Sequence, residues 1–296
     1  MSRPAPVYIG LTTIHGRERA LARCLMSLLR QRRPVDRREV SLHLFLSRDP
    51  YLLDRGFACL PPWLRLLAGV SRCHWLQLRL HVVPNLGPYR KLLPLVDLAC
   101  SRGDNDDPLL ITADDDTLYP SDWLQQLIDA QERFGCVVAF RGRGMDLEQG
   151  TVVPYRRWRK DGPELLKPSM ATVPTGKDGI CYRLSQLHRG VTDQEQAVAM
   201  AGHADDLWFK LHTMLTGTPS VLLHAGLHKQ FPELTRAGRR VRKAVRPGAI
   251  QSLFLNINKG GGNDEVMKRL DRWLVQAQGM SLGWLLTERA DGASWA

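Results

Sequence analysis

The sequence predicts an α/β protein: a mostly parallel sheet flanked by helices, with a helical or irregular C-terminal extension. Two observations carry this. Over residues 7–140, short apolar runs alternate with segments of helical periodicity. One of those runs, Leu109-Leu110-Ile111, leads straight into three consecutive aspartates, Asp114, Asp115 and Asp116. In an open α/β sheet, ligands bind beyond the carboxyl ends of the strands, so this is where chemistry is expected.

The elements follow in order. Val7–Leu11 reads as a first strand, with a polar turn over Thr12–Arg17. Ala20–Gln31 carries Leu21, Cys24, Leu25, Leu28 and Leu29 at helical spacing and is stopped by Pro34. Val40–Leu46 and Leu78–Val83 read as strands, and Pro88–Ala99 as a helix with Lys91 in its first turn. Leu109–Ala113 is the fourth strand, bounded upstream by turn-formers ending at Pro108. Ser121-Asp122 opens a helix over Trp123–Phe134, and Val137–Phe140 is a fifth strand. Past Gly142 the periodicity fades, and residues 141–178 are rich in Gly, Pro, Arg and Lys, as a substrate-facing loop region would be.

Composition bounds the function. The chain has 296 residues, 44% hydrophobic and 24% charged, which suits one large core or two modest ones. No apolar run approaches the ~20 residues a membrane span needs, and the N-terminal apolar stretch is too short for a secretory signal core. A cytoplasmic location is therefore expected. Six scattered cysteines without a C-x-x-C pair suggest reduced, mostly buried thiols. A net charge of +11 favours polyanionic partners. The basic residues concentrate around Arg30–Arg38 and around Arg236–Arg246.

Three carboxylates at one strand tip repel one another and lose solvation if covered. A hard divalent cation, Mg²⁺ or Mn²⁺, resolves both problems, since it takes oxygen ligands from carboxylates and substrate phosphates. A phosphohydrolase with an aspartate nucleophile would instead need Asp-x-Asp-x-Thr. Asp114 and Asp116 supply the acids, but Leu118 stands where the Thr belongs, and Thr117 is one residue early. A non-enzymatic basic protein binding membrane or nucleic acid would use the charge, but it leaves the acidic triplet without a purpose.

Two further stretches complete the pattern. Thr175-Gly176-Lys177-Asp178-Gly179 is a glycine-containing turn that would let backbone approach a ligand. Asp205-Asp206 precedes an apolar helix, where acidic residues also serve as helix-start groups.

Taken together and in this order, Thr12–Gln31, ITADDDTLYPSDWL, VPTGKDGICY and ADDLWFKLH resemble a GT-A fold glycosyltransferase of the bacterial, family-2-like kind, over roughly residues 7–230. The resemblance implies a GT-A domain over 1–232, with a nucleotide-binding half at 1–120 and an acceptor-binding half at 121–232. A basic, Gly-containing lid and helices would follow over 233–296. It implies an inverting, metal-dependent transfer from a nucleotide-sugar donor, UDP-linked in the first place, to a hydroxyl of a saccharide or lipid-linked saccharide. Surface polysaccharide or glycolipid synthesis is the implied setting, with peripheral contact to the inner face of an anionic membrane as an option and no nucleic-acid partner.

By the same resemblance, Asp206 is the catalytic base with Asp205 beside it. Thr12, Arg17, Lys91, Asp114 and Asp115 hold the donor. Asp116 and His224, with His228 behind, hold Mn²⁺ or Mg²⁺. Thr175, Gly176 and Trp208 face the acceptor. Residues 235–263 are expected to close over the donor as a lid.

Overall fold

The structure, a computed structural model, describes residues 4–102, 107–225, 230–234 and 262–287. The expected lid, 235–263, lies outside the described residues except for its last two positions, and His228 also lies outside them.

The strands are β1 (Val7–Thr12), β2 (Val40–Leu46), β3 (Gln77–Val82), β4 (Leu109–Asp114), β5 (Val137–Ala139), β6 (Gly142–Gly144), β7 (Leu147–Glu148), β8 (Thr151–Val152), β9 (Thr172–Pro174), β10 (Ile180–Arg183) and β11 (Ser220–Leu222). The helices are α1 (Glu18–Leu29), α2 (Pro62–Ser71), α3 (Leu93–Ser101), α4 (Trp123–Phe134), α5 (Gln194–Ala201), α6 (Asp205–Leu215), α7 (Gly262–Gln278) and α8 (Leu282–Thr287). Seven strands form one sheet in the order β11-β5-β10-β4-β1-β2-β3. All neighbours pair in parallel except β10, which runs antiparallel to both β4 and β5. The α/β expectation holds, and the reversed β10 is an addition that hydropathy does not signal.

Helices cover both faces of this sheet, which is why its strands read as unbroken apolar runs. Along β1, Val7, Ile9 and Leu11 face a core that includes Leu21, Leu25 and Leu28 of α1 and Leu124 and Leu127 of α4. Tyr8 points the other way, into a core shared with Leu93 and Val96 of α3, Phe209 and Leu211 of α6, and Leu270 and Leu274 of α7. Alternate residues of one strand thus feed two cores.

Three expectations need correction. The first helix ends at Leu29, not Gln31. Gln31 is buried, donates to the Pro120 carbonyl at 2.6 Å, and accepts the Leu124 N–H at 3.0 Å, so it anchors the entry to α4 instead. The segment expected to be a helix over Pro88–Ala99 splits into a 3-10 turn, Gly87–Lys91, followed by α3. The tighter turn buries Tyr89, Arg90 and Lys91 together, which a single α-helical face does not do. Of the six cysteines, all free, Cys24, Cys136 and Cys181 are buried but Cys59, Cys73 and Cys100 are exposed. Helices α2 and α5, carried by weak sequence signals, went unanticipated.

The 3-10 turn lies hard against β1. A Cβ on Gly10 would stand 2.0 Å from the Lys91 carbonyl oxygen, so only glycine lets the turn seat there. Gly69, in α2, has nothing within 4 Å of the same position. Gly10→Ala is expected to lower stability by about 1–3 kcal/mol through overpacking. Gly69→Ala should raise it by about 0.5–1 kcal/mol through helix propensity. Denaturant midpoints of the two variants check both signs.

Candidate active site

Strands β2 and β3 lie on one side of β1, and β4 lies on the other, so the strand order reverses between β1 and β4. Connections leave the two strands in opposite directions there and open a crevice at their carboxyl ends. The register places Thr12 beside Asp114, so Thr12-Thr13 and the acidic triplet emerge side by side. A cavity of about 190 Å³ fills this crevice, lined by residues 12–14, Arg17, 51–54, the 87–91 turn and Asp114–Asp116.

Each aspartate of the triplet meets a different cation. Asp115, buried, accepts from the Thr13 hydroxyl at 2.5 Å and from the Arg17 guanidinium at 2.8 Å. Asp116 lies 2.6 Å from the Lys177 ammonium and 3.9 Å from Arg17. Asp114 lies 3.6 Å from the Lys91 ammonium. These pairings set the titration. Burial raises Asp115 above the usual carboxylate range despite Arg17. Burial also works against Asp114, but Lys91, Lys177 and Arg17 outweigh it and hold it low.

The second acidic pair enters the same crevice. Neither carboxylate caps α6: the residue before the helix is Ala204, and no side chain caps it. Asp205 lies 3.1 Å from the Lys91 ammonium, and Asp206 accepts the Gly176 N–H at 3.0 Å. A Cβ on Gly176 would stand 2.4 Å from Lys91 Nζ, so glycine is what allows the turn to close over the lysine. Burial, then the Asp205 charge, push Asp206 up to about 7. Burial disfavours the Lys91 ammonium, but Asp205, Asp114 and Asp206 hold it firmly protonated.

The Gly176 turn is held from below. Asp178 and Gly179 adopt positive φ (74° and 111°), and the Trp123 indole donates to the Asp178 carbonyl at 2.8 Å. Residues 230–234 cross on the other side: Leu234 N–H donates to the Asp116 carbonyl, and Gln230 N–H to the Asp178 carboxylate.

The structure brings together Arg17, Lys91, Asp114–Asp116, Gly176, Asp205 and Asp206. The Thr12 hydroxyl, by contrast, is spent on the Phe45 carbonyl of β2 at 2.9 Å, although Thr12 lines the cavity. Half-buried Thr175 bonds back to the Arg141 carbonyl. Trp208 is fully buried and donates to the Val191 carbonyl, so it packs the core rather than facing an acceptor. His224 stacks on Phe140, ring centroids 5.8 Å apart.

These residues do not offer a divalent cation an open cage. Among the described residues, no three His, Cys, Asp or Glu side chains gather as a metal site. The expected ligand Asp116 already carries Lys177, and a cation there would have to displace an ammonium held at 2.6 Å.

Two sets of residues escaped sequence reasoning. Lys177 stood inside the quoted turn but signalled only loop chemistry. Asp54 and Arg90 form a buried ion pair at 2.8 Å, and Asp54 also accepts from His15 N–H, Gly56 N–H and Asn85. No motif links these positions; only the fold does.

No protein-family model matches the chain, and no curated protein matches it. Among solved structures, it is similar to Staphylococcus aureus TarS 1–349 in complex with UDP: 14% identity, TM-score 0.47, covering 96% of this chain and 70% of that one. A second TarS 1–349 structure is matched over 66% of its length. The chain is also similar to the mannosyltransferase PcManGT from Pyrobaculum calidifontis in complex with GDP-Man and Mn²⁺: 13% identity, TM-score 0.44, covering 76% and 56%. A 4-diphosphocytidyl-2C-methyl-D-erythritol synthase gives 13% identity, TM-score 0.41, covering 80% and 94%.

Two predictions come from the crevice. Lys91→Met leaves buried carboxylates without their ammonium and is expected to lower stability by about 3–5 kcal/mol, the usual effect of removing one partner of a buried pair. Thermal denaturation checks it. Asp206 binds its proton more tightly folded than unfolded, so its contribution to stability is present below the ordinary carboxylate pKa and is lost as pH rises through about 7. Stability of Asp206→Asn relative to the unaltered chain should therefore improve between pH 5 and pH 8; a flat difference would contradict the raised pKa.

Proposed function

We propose that this chain is a glycosyltransferase of the GT-A kind, moving a sugar from a nucleoside-diphosphate donor to an acceptor hydroxyl with inversion. The observation that carries the reading is Lys91. Its ammonium lies 3.6 Å from Asp114 and 3.1 Å from Asp205, so the strand-tip acids and the helix-start acids face one crevice. Small-molecule sites commonly measure about 300–1,000 Å³. The cavity at the carboxyl ends of β1 and β4, about 190 Å³, suits the nucleoside, with the diphosphate and sugar extending past Lys91 toward Asp206.

In this reading residues 1–120 bind the nucleotide, 121–232 bind the acceptor, and 233–296 follow as a C-terminal extension. Asp115 holds Thr13 and Arg17 in place, and Arg17 presents its guanidinium to the diphosphate, which it can grip in bidentate fashion. Asp114 orients the sugar or ribose. The acceptor hydroxyl approaches Asp206, whose proton affinity near neutrality matches the task of a general base. As the acceptor oxygen bonds to the anomeric carbon, its proton passes to Asp206, and the bond to the diphosphate breaks with its electron pair. Asp205 and the Gly176 N–H hold the base and its surroundings in register.

A UDP-linked donor and a saccharide or lipid-linked saccharide acceptor fit the resemblance, as does a place in surface polysaccharide or glycolipid synthesis. The basic excess would suit peripheral contact with an anionic membrane from the cytoplasmic side. Among the described residues no helix is long and apolar enough to cross a membrane.

Screening UDP-, GDP- and CMP-linked donors for binding and hydrolysis tests the class. Once a donor is found, Asp206→Asn should lower turnover by about 10² or more while donor Kd stays put. The unaltered enzyme's kcat should rise with pH through about 7, since the base works deprotonated. Donor binding lost together with turnover would reassign Asp206 to the donor site.

A further inference from the structure

The acidic triplet invites a divalent cation, but the position beside Asp116 is taken. Lys177 Nζ lies 2.6 Å from Asp116 Oδ1 and 2.8 Å from the Thr117 hydroxyl. An ammonium has three N–H donors. Two of them meet acceptors among the described residues, and no third bond is made among those residues. The side chains of Lys177 and Asp116 are 16% and 15% exposed, enough for a ligand to reach them.

The placement is built rather than incidental. Lys177 sits on the turn whose positive-φ residues Asp178 and Gly179 are pinned by the Trp123 indole. Asp116 is fixed through its carbonyl by the Leu234 N–H, and Thr117 is fully buried and bridged to Glu233.

We propose that Lys177 is the cation of this site: its ammonium, oriented by Asp116 and Thr117, stabilises the departing diphosphate together with Arg17, so that donor binding does not require a divalent metal ion. The inference rests on the glycosyltransferase reading above. In the transfer, the bond from the anomeric carbon to the diphosphate breaks and its electron pair stays on the diphosphate oxygen. The acceptor oxygen takes its place on carbon, and the acceptor proton goes to Asp206. Lys177 gives up no proton. It supplies a fixed positive charge where negative charge grows, the role a metal would fill as a Lewis acid. Asp116 is then a positioning residue for the ammonium.

Calorimetric binding of UDP and GDP to the full chain, in EDTA and again in Mn²⁺, tests this. Electron paramagnetic resonance of Mn²⁺ alone reports metal binding independently. The expected result is nucleotide affinity that changes less than about 3-fold between EDTA and Mn²⁺, no tight Mn²⁺ binding without nucleotide, and a loss of 10-fold or more in Lys177→Gln. Lys177→Arg, which keeps the charge, should retain metal-independent binding, and circular dichroism of both variants verifies that they fold. Affinity lost in EDTA and restored by Mn²⁺, with Lys177→Gln behaving as the unaltered chain, would overturn the inference while leaving the glycosyltransferase reading standing. Failure of UDP and GDP to bind in either condition would overturn the inference, and failure of every donor in the screen above would overturn the glycosyltransferase reading as well.

Discussion

The buried ammonium of Lys91 is the contact on which the crevice depends. It stands between Asp114 at the end of β4 and Asp205 at the start of α6, two elements about 90 residues apart in sequence. Without a cation there, the carboxylates of Asp114, Asp205 and Asp206 would repel across a space too enclosed for water to screen them well. With it, the two acidic clusters are held at one site. Its seat is prepared by glycine twice over: Gly10 admits the turn that carries it, and Gly176 admits the ammonium itself.

A second buried pair sets the other wall. Asp54 gathers Arg90, Asn85 and the backbone N–H groups of His15 and Gly56, tying three loops at the carboxyl edge of the sheet into one piece. Arg90 also donates to the Thr13 carbonyl at 3.3 Å, which ties the turn holding Lys91 to the loop after β1. Such buried networks in a low-dielectric setting hold a site in a fixed shape, although Arg90 Nη1 has no hydrogen-bond partner among the described residues. Preorganised charge of this kind is what stabilises developing charge in a reaction, because little reorganisation remains to be done.

The balance of charge within the crevice decides how its acids titrate. Four carboxylates, Asp114–Asp116 and Asp205, meet the side chains of Arg17, Lys91 and Lys177, and a fifth, Asp206, meets the Gly176 N–H. Burial together with the excess of acid raises Asp206, the one carboxylate of the helix-start pair that is bonded to backbone rather than to a cation. A single arrangement thus holds Asp114 low while leaving Asp206 with a proton affinity near neutrality.

Much of the frame was legible in the residues themselves. Apolar runs at strand length ending on turn-formers fixed β1, β2, β4 and α4 almost to the residue, because period and punctuation are local properties. The acidic triplet, Asp205-Asp206, Arg17 and Lys91 were recognisable for the same reason: unusual charge at the end of an element is visible in one dimension. What the sequence did not hold was distance. That Lys177 rests on Asp116, that Asp54 pairs with Arg90, that Trp208 turns inward and that β10 runs against its neighbours follow from packing between segments far apart in the chain. A lysine in a loop and a lysine on a carboxylate read alike as letters. Only the folded chain, by bringing the turn at 175–179 over the end of β4, decided which one Lys177 is.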